Sequence, residues 1–277
     1  MPPILSDRAA LARYRDRAAR GPALFLQEDA AAEMQERLNE VNRRFTRPAI
    51  ITPFADLWRA RMPQARIVAD DDVLDLTAGA HDLVIHALCL HWANDPVGQL
   101  VQCRRALCPD GLFLGVLFGG QTLAELRACL AEAEAAVTGG LSPRVLPMAE
   151  IRDLGGVLQR AGFALPVADS TIRTVTYADT GRLMADLRAM AETNALAQRL
   201  RRPTGRQVFS RTATRYAAAF PAPGGRIRAT FEMIFLTGWA PDDSQPKPLR
   251  PGSAARRLAD ALGSVERSLP PAAQRDS

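Results

Sequence analysis

The sequence predicts an α/β fold, a doubly wound and mostly parallel sheet with an antiparallel pair at one edge. Three observations predict it. Two runs, 82–88 with apolar residues on both faces and the wholly apolar 112–118, read as central strands covered on both faces. A helix beginning at Pro96 separates them, so the pair forms a parallel strand–helix–strand unit. Two late strands, at 171–177 and 229–238, are split by helical stretches and suit an antiparallel closure.

The elements follow in order. Ser6 is placed to cap a first helix over 7–19, ended by Gly21-Pro22. A second helix over 27–43 repeats Met34, Leu38 and Val41 on one face. These two form an N-terminal lead-in over 1–45. The α/β domain then runs over 46–240: a strand at 49–51, a short helix at 54–61, and a strand at 66–69 that runs into Asp70, Asp71 and Asp72. After the first central strand, Leu100, Cys103 and Leu107 share a helical face, and Pro109-Asp110-Gly111 reads as a turn. Helices are expected at 122–136, 148–161, 179–199 and 205–219. A Pro- and Arg-rich tail over 241–277 reads as largely extended, with one short helix at 253–264.

Composition narrows the function classes. At 277 residues, 47% apolar and 23% charged, the chain can bury a core without disulfides. Its net charge of +5 comes from 35 basic residues of which only Lys247 is lysine. That pattern suits an arginine-biased composition better than a nucleic-acid surface, and no nucleic-acid partner is expected. The four cysteines lack CxxC spacing. His81, His86 and His91 recur every five residues, which alternates faces on a strand, so no metal site is expected. The N-terminus turns charged at once, and no run approaches the ~18 apolar residues of a spanning helix. A cytoplasmic location is the expectation.

The motifs then point to a family. His81-Asp82-Leu83-Val84-Ile85-His86 through Leu90-His91-Trp92-Ala93-Asn94-Asp95 resembles the fourth strand and exit loop of class I, S-adenosylmethionine-dependent methyltransferases, a Rossmann-like fold. Gly119-Gly120-Gln121-Thr122-Leu123, Leu141-Ser142-Pro143-Arg144, Glu192-Thr193-Asn194, Thr230-Phe231-Glu232 and Thr237-Gly238-Trp239 together resemble one subfamily. It is that of the methyltransferase-like respiratory complex I assembly factors, which are associated with arginine hydroxylation and are related to malonyl-carrier-protein methyltransferases. Ala191 stands where a glycine is usual.

The resemblance implies S-adenosylmethionine as cofactor, with Asp70, Asp71 and His86 as candidate contacts. It also implies His91, Trp92, Asn94 and Asp95 as the catalytic stretch, with His91 as base. The same residues suit plainer roles: Asn94 or Asp95 as the cap before Pro96, Trp92 as packing, Asp70–Asp72 as a solvated loop, His86 as a core histidine. A buried Glu232 calls for a partner, for which arginine is expected.

The residues themselves depart from the family at the cofactor loop. No glycine lies between Gly21 and Gly79, and Thr52-Pro53-Phe54 takes the place of the glycine-rich turn. Residues 46–81 hold little more than one βαβ unit, which takes about 30 residues. One βα unit is therefore missing. Three functions stay open: an enzyme that transfers methyl groups or modifies arginine, a binding protein that grips a complex I subunit, and a pocket remodelled for another small molecule. Any membrane association would be peripheral, through that partner; the oligomeric state is not legible.

Overall fold

The central strand β3 (His81–Ala87) is buried along its whole length, with apolar Leu83, Val84, Ile85 and Ala87 on its two faces. In the computed structural model, which describes residues 4–246, it pairs in parallel with β1 (Pro48–Ile51) and β4 (Leu107–Phe118). The sheet order is β2-β1-β3-β4-β7-β5, where β2 is Arg66–Val68, β5 Ala164–Tyr177 and β7 Arg226–Trp239. The two-residue β6 (Pro221–Ala222) adds to β7. β7 is antiparallel to both neighbours, so the antiparallel pair lies at the edge where it was expected.

Side-chain alternation builds three layers. Leu83, Ile85 and Ala87 face a core shared with helices α2 (Phe25–Glu40), α5 (Ala124–Thr138), α7 (Thr180–Ala189) and α8 (Arg206–Ala219). Val84 faces the opposite core, with α4 (Pro96–Ala106) and α6 (Ile151–Arg160). Asp82 fixes the entry to the sheet. Its carboxylate accepts the Thr46 and Arg47 N–H groups at 2.7 and 2.9 Å just before β1.

On the far side of β1 the sheet stops early. Residues 52–80 supply only α3 (Ala55–Arg61) and the three-residue β2, which confirms that a βα unit is missing. Helix α1 (Arg8–Ala18) packs against the segment that follows β2, where its Arg8 and Arg15 pair with Asp70.

Four local expectations are corrected. Asp7, not Ser6, caps α1, accepting the Ala10 N–H at 3.0 Å. Pro109-Asp110-Gly111 does not turn the chain: β4 runs through it, with Asp110 at φ 57° absorbing the irregularity. Leu107 opens β4 and does not continue α4. The helix expected over 179–199 stops at Ala189, because Ala191 takes a left-handed φ of 65°.

Residues up to Asp242 form one compact unit, which includes the N-terminal helices. A second begins at Asp243, and the tail helix expected at 253–264 lies outside the described residues. Among the described residues no helix is long and apolar enough to cross a membrane.

Candidate functional site

Beyond β3 the chain makes a short 3-10 turn, Leu90–Trp92, that buries His91 and Trp92. Both side chains meet one carboxylate. Glu192 accepts the Trp92 Nε1–H at 2.9 Å, and its oxygens lie 3.2 and 3.3 Å from His91 Nε2. Glu192 arrives from the end of α7, where left-handed Ala191 turns the chain toward the sheet. The His91 ring packs 5.1 Å from Phe118 and 5.9 Å from Trp92, centroid to centroid. Its Nδ1 is buried with no hydrogen-bond partner among the described residues.

Trp92, Phe118 and Glu192 form one end of a cavity of about 230 Å³. Leu126, Leu146, Met148 and Phe231 make the rest of it predominantly apolar, as ligand sites usually are. Arg188 also lines it, with no ion-pair partner among the described residues.

The walls are tied together by the motifs noted in the sequence. Glu134 on α5 is buried and held by Arg144 and Ser142, which push its carboxyl down to about 2 against the opposing effect of burial. Asn194 Nδ2 donates to the Pro143 carbonyl at 2.8 Å, joining that loop to the Glu192 segment. The 119–123 loop is laced to β7: Thr122 Oγ1 donates to the Glu232 carbonyl and accepts the Glu232 N–H, and Leu123 N–H donates to the Thr230 carbonyl. The partner of Glu232 is the Gln121 N–H, at 2.9 Å, and not the expected arginine.

A Cβ on Gly119 would lie 2.6 Å from both Glu232 Oε2 and Ile234 Cδ1. Ile234 Cδ1 can swing aside, but Glu232 Oε2 can yield only by loosening its bond to the Gln121 N–H, so Gly119→Ala is expected to destabilise the fold by about 1 kcal/mol. The midpoint of urea unfolding measures it; an unchanged midpoint would show that this loop is not close-packed.

The other candidates lie elsewhere. Asn94 Oδ1 accepts the Leu5 and Ser6 N–H groups at 3.0 and 2.8 Å, so it pins the N-terminal segment. Asp95 caps α4, accepting the Gly98 N–H at 2.7 Å. His86 is a core residue, with Nε2–H donating to Gln99 Oε1 at 3.0 Å and Nδ1 at 3.5 Å from the Cys89 sulfur. Burial pushes its pKa down to about 4. Asp70 is buried beneath α1, bound by Arg15 and Arg8, while Asp71 is exposed and 4.0 Å from Arg8. His81 is used separately, its Nδ1 lying 3.1 Å from the Arg47 carbonyl.

Of the residues singled out in the sequence, Trp92, Glu192, Thr193 and Asn194 line the cavity, and His91 stands behind them, bonded to Glu192. Arg8 and Arg15 escaped sequence reasoning. Their spacing of seven, which puts both on one helix face, was the available signal.

Residues 25–115 match the family model described as a methyltransferase domain. The mitochondrial arginine-hydroxylase NDUFAF5 of Danio rerio is 36% identical over 199 residues, covering 72% of this chain and 62% of that protein. The malonyl-[acyl-carrier protein] O-methyltransferase of Xylella fastidiosa (strain M23) is 36% identical over 179 residues, covering 65% of this chain and 58% of that one. The chain thus spans about three fifths of the length of the curated relatives it matches. Among solved structures, the YcgJ protein of Bacillus subtilis aligns with a TM-score of 0.45 at 12% identity, over 72% of this chain and 94% of that one. The sheet order is that of a class I methyltransferase-like, Rossmann-like α/β fold, and in sequence the chain is similar to these methyltransferase-domain proteins.

Proposed function

We propose that this protein works in the assembly of respiratory complex I as a binding protein on a methyltransferase-like scaffold, receiving an arginine side chain of a partner subunit in the cavity. One observation carries the reading: the carboxylate of Glu192, only partly exposed, stands in the wall of an apolar cavity beside two aromatic rings, Trp92 and Phe118. A guanidinium suits that setting, with charge against the carboxylate and its plane against a ring. The name of the arginine-hydroxylase relatives supports the same side chain. Arg188 would meet a carbonyl or acidic neighbour of the bound residue. The protein would act in the cytoplasm and reach the membrane only through its partner.

The residues beyond the first strands do not fit S-adenosylmethionine. Pro53 follows β1 with no N–H to offer, and the oxygens of Asp70 are taken by Arg8 and Arg15. No methyl-transfer step is derived through the cofactor.

Titration of the protein with N-acetyl-arginine methylamide tests the reading. Glu192→Gln, which keeps shape and removes charge, is expected to weaken binding at least roughly tenfold. In a deletion strain, the same variant should leave complex I under-assembled on native gels. Equal binding by both proteins would remove the cavity from the proposal.

A second reading is favoured by the His91–Glu192 pair, the arrangement of a carboxylate-oriented base. Calorimetric binding of S-adenosylmethionine at micromolar strength would promote it to an active methyltransferase or arginine-modifying enzyme.

A further inference from the structure

Ligands of open α/β sheets bind beyond the carboxyl ends of the strands, where the strand order reverses. Here that point lies between β1 and β3, and α1 reaches the segments that leave β2 and β3, through Arg8 and Arg15 to Asp70 and through Leu11 to Trp92. Asp70, which follows β2, has a side chain only 6% exposed. Arg15 donates to both of its carboxylate oxygens, from Nη1 to Oδ1 and from Nη2 to Oδ2 at 2.8 Å. Arg8 donates to Oδ2 at 3.4 Å and also to the Asp70 carbonyl. Asp71 and Asp72 lie 4.0 and 3.9 Å from the same Arg8 side chain.

The segment before the helix is fastened independently. Asn94 binds the Leu5 and Ser6 N–H groups, the Asp7 N–H donates to the Ala195 carbonyl at 2.7 Å, and Arg199 pairs with Asp7 at 2.9 Å. Leu11 on the inner face of α1 packs with Trp92 and Leu146, two residues that line the cavity. Helix α1 therefore touches both the crevice and the back of the cavity.

We propose that the strand-end crevice is a guanidinium site filled from within: Arg15 of α1 is its resident occupant, and this contact holds Trp92 and the cavity wall in place with no cofactor. A doubly bonded guanidinium against a buried carboxylate is a geometry that an ammonium cannot reproduce. The inference is independent of what the cavity itself receives.

Hydrogen exchange on the full chain tests it. In the wild type, amides of 8–18 are expected to be protected without any ligand, and millimolar S-adenosylhomocysteine should not change them. Arg15→Ala should lower that protection at least roughly tenfold while β3 and β4 keep theirs. Ethylguanidinium at millimolar concentration should restore part of it in Arg15→Ala, and ethylammonium should restore less. If Arg15→Ala fails to fold, Asp70→Asn supplies the comparison, with the same loss confined to α1 expected. Free exchange of α1 in the wild type, protection by S-adenosylhomocysteine, or equal rescue by the two cations would each overturn the proposal.

Discussion

Between pH 6.5 and pH 4 the fold is expected to lose about 3 kcal/mol of stability through His86. The side chain is fully buried, and desolvation holds its folded pKa near 4 against 6.5 in an unfolded chain. Within that window the unfolded state binds the proton and the folded state does not. The contribution is complete above pH 6.5, falls as pH drops, and levels off below pH 4. Urea unfolding at pH 7, 5.5 and 4 measures the slope. His86→Gln, which has no proton to gain, should be less stable at pH 7 yet lose much less between pH 6.5 and 4. If the variant keeps the wild-type slope, the acid sensitivity belongs to another group.

The second large effect is expected at Arg144. Replacing it with Met leaves Glu134 buried on α5 without its cation, and removing one partner of such a pair costs about 3 kcal/mol. For a domain of this size that is roughly 10 °C in Tm. Residues 141–148, which form one wall of the cavity, should become the first site of proteolysis. The double variant Glu134→Leu/Arg144→Met should recover most of the loss, because the uncompensated charge is gone. A double variant as unstable as the single one would mean that the backbone of the loop, and not the ion pair, sets its stability. Glu134 also adds a second acid window: with its folded pKa near 2 and an unfolded value of 4.5, its contribution is lost as pH falls from 4.5 toward 2.

Much of the fold was legible because its signals are local. The apolar runs of β3 and β4, Pro96 at the start of α4 and the shortage of residues before β3 each depend on a few neighbouring positions. The errors were local as well. Ser6 and Asp7 are adjacent and equally good caps, and nothing in a helical pattern says that Ala191 will adopt a left-handed turn. The site was only half legible for a different reason. The family motifs marked His91, Trp92 and Glu192, but bonds such as Arg15 to Asp70, 55 residues apart, or Asn94 to Ser6, 88 apart, are made by tertiary folding. Asn94 and Asp95 look alike beside Pro96, yet one is turned to the N-terminal segment and the other to α4.

A sheet with a unit missing has an edge where an interior strand would otherwise lie, and unpaired edges recruit other chains. At three residues, β2 is too short to serve as a template, so the truncation exposes little that could nucleate aggregation. The hazard shifts to the opposite margin, where β5 extends for 14 residues and leaves Ile172 57% exposed. There Pro166 lacks a ladder donor, the register is broken between Ala164 and Val167, and Asp169 and Arg173 are drawn into ion pairs with α2. Helix α2 thus acts as a guard on solubility at the long edge, a duty separate from its place in the core.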